Sequence, residues 1–123
     1  MKIAIIGAGT AGISTVATLL SNDYKNIVWI DPEFLGGAFN YYKGIPSNTK
    51  AKNLSKFTQL LSLYQPYKNT NDDVDVFKGL DPEKETTLDL IKASLDKMLK
   101  IIRQDYGKDV LLLQCLMTKI VQI

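Results

Sequence analysis

Residues 2–6, KIAII, form a short, almost unbroken apolar run that stops at Gly7, the pattern of a strand buried on both faces. From Ala11 to about Ser21 the spacing changes: Ile13, Val16, Ala17 and Leu20 recur at helical period and predict a helix with one stripe on a sheet. Asn22, Asp23 and Asn26 mark a turn, and IVWI at 27–30 predicts a second strand that ends at Asp31-Pro32. The opening is therefore β-α-β.

The middle of the chain reads differently. Residues 48–64 carry Leu54, Phe57, Leu60 and Leu61 at helical spacing, with Ser47 as the N-cap and Pro66 closing the segment. Residues 67–82 are polar and rich in turn formers, among them Asn69, Asn71, Asp72, Asp73, Gly79 and Pro82. A stronger helix is predicted over 87–106, with Leu88, Ile91, Leu95, Met98, Leu99 and Ile102 as its stripe. Thr86 and Asp89 stand at capping-box spacing, and Gly107 stands at C′. VLLL at 110–113 predicts a third strand, and MTKIVQI at 117–123 alternates like a fourth. The chain is expected to be one domain over 1–123, with a helical insertion at about 48–106.

Gly7-Ala8-Gly9-Thr10-Ala11-Gly12 is G-x-G-x-x-G, and its context gives it meaning: a strand precedes it, a helix follows, and the next strand ends in an acid. Gly7 permits the tight turn, Gly9 has no Cβ to keep a pyrophosphate from the backbone, and Gly12 lets helix and strand pack closely. Amides of Ala8, Thr10 and Ala11 would face the phosphates from the helix N-terminus, where the dipole adds to the attraction. Asp31 is placed to accept from ribose hydroxyls and would repel a 2′-phosphate, which disfavours NADP. FAD and NAD both use such a loop.

Farther on, the segment KIAIIGAGTAGISTVATLL…IVWID with Gly36-Gly37 resembles the N-terminus of the two-dinucleotide-binding-domain flavoproteins, the pyridine nucleotide-disulfide oxidoreductase-like family. The resemblance covers residues 2–50 well and the remainder loosely. It implies a three-layer α/β, Rossmann-type FAD/NAD(P)-binding domain with a parallel sheet and an inserted helical segment, cut short at its C-terminus. It implies FAD as cofactor, with NAD the alternative, and the C-terminal part of the same enzyme as a partner. Cofactor contacts are expected from Gly7, Ala8, Gly9, Thr10, Ala11, Gly12, Asp31, Pro32, Gly36, Gly37 and, by a backbone contact to adenine, Met117. In this family a Gly-Gly pair is followed by two cysteines and Ile-Pro-Ser. Here Gly36, Gly37, Ile45, Pro46 and Ser47 keep the spacing while Phe39 and Gly44 fill the cysteine slots. The implied function is the FAD-binding portion of a flavin-dependent oxidoreductase without a redox-active disulfide. The alternatives are an NAD-binding dehydrogenase or sensor domain and a vestigial nucleotide-binding module.

Composition narrows the chemistry further. The single cysteine, Cys115, excludes an intrachain disulfide and is expected to be a buried strand residue. The absence of histidine removes imidazole bases and His-based zinc sites, so no metal site is expected. A net charge of +2 gives no case for nucleic acid, and Lys50, Lys52 and Lys56 read as a solvated helix face. The uncharged run at 3–20 is diluted by three glycines and four Ser/Thr residues and lacks a basic leader, so a buried strand and helix are expected rather than a signal or membrane span. A cytoplasmic location is expected, and no catalytic residue is assigned.

Overall fold

The computed structural model describes residues 1–42, 44–62 and 76–122, with residues 57–62 through their backbone only. In chain order the elements are β1 (Ile3–Ile6), α1 (Thr10–Ser21), β2 (Ile27–Asp31), a 3₁₀ turn (Gly37–Tyr41), β3 (Pro46–Lys50), α2 (Ala51–Ser62), β4 (Glu85–Thr87), α3 (Leu88–Asp105) and β5 (Val110–Gln114). The protein is α/β, with a parallel sheet in the order β1-β2-β5 and a separate antiparallel pair, β3-β4.

The order of the parallel sheet decides which face is covered. From β1 to β2 to β5 the chain steps across the sheet in one direction, and parallel connections take a right-handed course. Successive crossovers in one direction place their helices on one face. In agreement, α1 and α3 share a single core with that face: Ile13, Val16, Ala17 and Leu20 from α1 meet Leu95, Met98, Leu99 and Ile102 from α3 over Ile27, Trp29 and Val110. All four residues of the expected α1 stripe are buried.

The opposite face carries Ala4, Ile6, Val28, Ile30, Leu111 and Leu113, and among the described residues no helix lies on it. Ile6 is 52% exposed and Leu111 58%. The described chain is thus two-layered, which corrects both the three-layer expectation and the reading of β1 as buried on both faces. An apolar run shows that a strand avoids charge, not that both of its faces have partners.

Several local readings are corrected as well. Ser47 is not an N-cap: it lies within β3, is buried, and its hydroxyl accepts from Thr49 N at 3.1 Å. The helix begins at Ala51, after a strand pair that local periodicity does not show. Lys50 therefore belongs to β3, and with Lys52 it forms ion pairs to Glu83 at 2.8 and 2.6 Å. Thr86 and Asp89 make no capping box, because Asp89 Oδ2 accepts instead from Gly44 N at 2.8 Å. Gly107 follows the helix as expected but lies outside the left-handed region, Tyr106 being the cap.

Beyond β5, residues 116–122 form no strand, and Cys115 is exposed rather than buried. The side chains of Phe57, Leu60 and Leu61, Pro66, and the turn formers at 69–73 lie outside the described residues. Among the described residues no helix is long and apolar enough to cross a membrane.

Candidate functional site

The carboxyl ends of β1 and β2 bring the glycine loop and Asp31 together. Gly7 leaves β1 with φ +99°, a conformation that suits glycine, and its N–H donates to Ile30 O at 2.8 Å. Its carbonyl accepts from Trp29 Nε1 at 2.8 Å, so the buried indole finds its partner in the loop itself. Gly12 is dictated by packing: a Cβ there would fall 1.9 Å from Gly7 O.

Gly9 differs from both. It is the N-cap of α1 in an extended conformation open to any residue, and a Cβ would meet Gly37 Cα at 3.8 Å and Gly36 O at 3.9 Å, ordinary contact. The free fold therefore has room for a methyl group at position 9. No side chain among the described residues caps α1, and its first turn carries no acid. The leading amides of α1 belong to the set that has no intrahelical partner. Four hydroxyl side chains later in α1, on Ser14, Thr15, Thr18 and Ser21, each donate to the carbonyl one turn back. Thr10 does not: its Oγ1 is buried without a hydrogen-bond partner among the described residues.

Asp31 is buried, at 7% exposure, and is well bonded. Oδ2 accepts from Ala8 N at 2.7 Å, and Oδ1 accepts from Glu33 N at 2.8 Å and Phe34 N at 2.6 Å. The carboxylate thus ties the glycine loop to the turn that follows β2. Three of its roughly four acceptor positions are taken, which leaves about one for a ligand hydroxyl. Pro32 lies in this turn. The turn is anchored by Phe34, which holds φ +53° because its ring is buried edge-on against Trp29, at 5.3 Å between centroids, with the Arg103 guanidinium 5.3 Å from the Phe34 centroid.

Gly36 and Gly37 both take positive φ, +88° and +63°, and pass over the glycine loop. The close backbone approach expected of the pair is present, and it is made to Gly9. Phe39 packs against Tyr42, and the Tyr41 hydroxyl donates to Glu33, a bond that holds its phenol above the ordinary tyrosine range.

Residues 7–12, 31, 32, 36 and 37 are thereby gathered at one end of the sheet. Met117 lies beyond β5 in a segment without regular structure, about one-third exposed. The roles of Trp29, Phe34 and the Thr10 hydroxyl were not anticipated. A tryptophan in a core strand signals that its N–H needs an acceptor, but not which one. Among the described residues no group of three or more Cys, Asp or Glu side chains could hold a metal ion. No family model, curated protein or solved structure matches this chain.

Proposed function

We propose that this chain is the FAD-binding portion of a flavin-dependent oxidoreductase that works without a redox-active disulfide. The observation that carries the reading is Gly9, the one glycine of the loop that neither backbone conformation nor packing demands. A dinucleotide pyrophosphate approaching the backbone there, beside the uncapped N-terminus of α1, accounts for the missing side chain.

The topology supports the same reading. The order β5-β2-β1 is that of one half of a doubly wound sheet, and ligands of such folds lie outside the carboxyl ends of the strands where the order reverses. In this account the amides of Thr10 and Ala11 hold the phosphates. The remaining acceptor position of Asp31 takes a ribose hydroxyl, and its links to Ala8, Glu33 and Phe34 keep the carboxylate aimed. The paired glycines at 36 and 37 allow the second loop to follow the ligand closely.

A bound flavin supplies two-electron transfer. Around it this chain offers Phe39 and Gly44 where the resembling family has sulfur, and Cys115 lies exposed after β5, so electrons are not routed through a dithiol in this chain. The test is an absorbance spectrum of the purified protein with analysis of the released cofactor. A flavin spectrum and released FAD support the reading, whereas released NAD, or no nucleotide even after incubation with FAD, overturns it.

A further inference from the structure

A pocket of about 300 Å³ opens between α3 and the turn after β2, with Leu35, Leu99, Lys100 and Arg103 in its wall and Phe34 beneath. Lys100 and Arg103 are exposed and stand three residues apart, so they are neighbours on the helix surface. Asp96 also lines the pocket and, four residues before Lys100, is the acid placed to pair with it. Both of its oxygens are instead held by Lys92, at 2.8 and 2.7 Å. The helix neighbours of Arg103 are Leu99, Lys100, Tyr106 and Gly107, none of them acidic. Among the described residues neither Lys100 nor Arg103 makes an ion pair. The Arg103 guanidinium lies 5.3 Å from the Phe34 centroid, a contact that positions the cation and uses none of its five hydrogen-bond donors.

These features describe a guest. Two neighbouring cations without a counter-ion favour an anion, and arginine presents a planar fork that matches a carboxylate. Lys100 adds a point charge one turn away. The pocket is larger than a carboxylate requires: a cavity of about 150 Å³ accepts benzene, so about 300 Å³ has room for a ring beside the charge. Leu35, 43% exposed, and the alkyl stems of Lys100 and Arg103 offer that ring apolar contact.

We infer that this pocket binds a small aryl carboxylate, of the benzoate class, with its carboxylate on the Arg103 fork beside Lys100 and its ring against Leu35. The site goes beyond the dinucleotide reading, which takes no contact from Leu35, Lys100 or Arg103. It is therefore tested on the full chain with no nucleotide present.

The experiment titrates isotope-labelled protein with benzoate, with benzyl alcohol and with acetate at constant ionic strength. It follows the methyl groups of Leu35 and Leu99 and the Nε–H of Arg103. Benzoate is expected to saturate these shifts and to give contacts between ring protons and the Leu35 methyls. Benzyl alcohol lacks the charge and acetate lacks the ring, and each is expected to bind about tenfold more weakly or worse. Arg103→Lys keeps a cation and removes the fork, and it is expected to weaken benzoate about fivefold; Arg103→Gln is expected to weaken it about tenfold. Lys100→Met, which leaves the contact between Arg103 and Phe34 in place, is expected to weaken it about threefold. Benzoate shifts that do not saturate, or that centre elsewhere on the chain, would overturn the assignment. So would a benzoate affinity unaltered by both Arg103 variants, or benzyl alcohol that binds as tightly as benzoate.

Discussion

The backbone of Gly37 lies against that of Gly9 so closely that a Cβ on Gly37 would fall 3.0 Å from Gly9 Cα and 3.4 Å from its nitrogen. The relation is not reciprocal, since a Cβ on Gly9 meets nothing nearer than 3.8 Å. Position 37 therefore serves the fold of the free chain and position 9 does not. Gly37→Ala adds this crowding to a positive φ of +63° and is expected to destabilise the chain by about 1–2 kcal/mol. Chemical denaturation of the variant checks it, and Gly9→Ala should fall within about 0.5 kcal/mol of wild type in the same assay.

Gly12 makes a stricter demand. A Cβ 1.9 Å from Gly7 O cannot be relieved by rotating a side chain, because the obstacle is backbone at the close crossing of α1 and β1. Gly12→Ala is expected to cost about 1–3 kcal/mol or more, the range for overpacking a core. Trp29→Phe, which takes the indole N–H from Gly7 O, is expected to cost about 1–3 kcal/mol, a combined loss of packing and of a buried hydrogen bond.

Asp31 combines structural work with its proposed ligand role. In Asp31→Asn an amide nitrogen replaces one oxygen, so the N–H of Ala8 or those of Glu33 and Phe34 must face a donor. A stability loss of about 1–3 kcal/mol is expected. The change should appear in amide chemical shifts at positions 8, 33 and 34, measured without ligand. Dinucleotide affinity is expected to fall as well, so affinity alone does not isolate the ribose contact.

What could be read in advance divides along physical lines. Ile13, Val16, Ala17 and Leu20 announced α1 because a period of 3.6 is a local property, and the glycine loop was legible because Gly7 and Gly12 answer to neighbours in their own turn. Ser47 misled because a serine ahead of an apolar period resembles a cap, whereas its place in β3 depends on pairing with residues 85–87, distant in sequence. MTKIVQI misled for the same reason, since alternation makes a strand only where an edge receives it. At Asp31 the sequence pointed to an acceptor at the end of β2, but not to its three backbone donors, Ala8 N in the glycine loop and Glu33 N and Phe34 N in the turn held by Phe34.

Glu83 offers a check on the β3-α2 junction. Its hydrogen bonds to Lys50 and Lys52, with the nearby positive charge of Lys52, hold the carboxyl below the ordinary glutamate range. A carboxyl depressed in the folded state contributes stability above its unfolded value, and that contribution disappears as pH falls through the folded one. The pair is solvent-exposed, so the contribution is small and weakened by salt. Carbon-detected titration should find Glu83 below the ordinary glutamate range, and Lys50→Met or Lys52→Met should each move it back upward.

A disulfide-reduction assay probes the missing sulfurs directly. With Cys115 the only thiol, the FAD-loaded chain driven by NADH or NADPH is expected not to reduce a small disulfide. Cys115→Ser is expected to leave flavin binding intact. Turnover lost on Cys115→Ser would assign the lone sulfur a role that this account denies.

Calorimetric titration of FAD and of ADP into wild-type protein and Gly9→Ala tests the central claim most directly. The account expects both ligands to bind the wild-type chain and both to be weakened about tenfold or more, about 1.4 kcal/mol, by a methyl group that the free fold accommodates. Wild-type protein that binds neither ligand, or a folded Gly9→Ala variant that binds FAD as tightly as wild type, would contradict it.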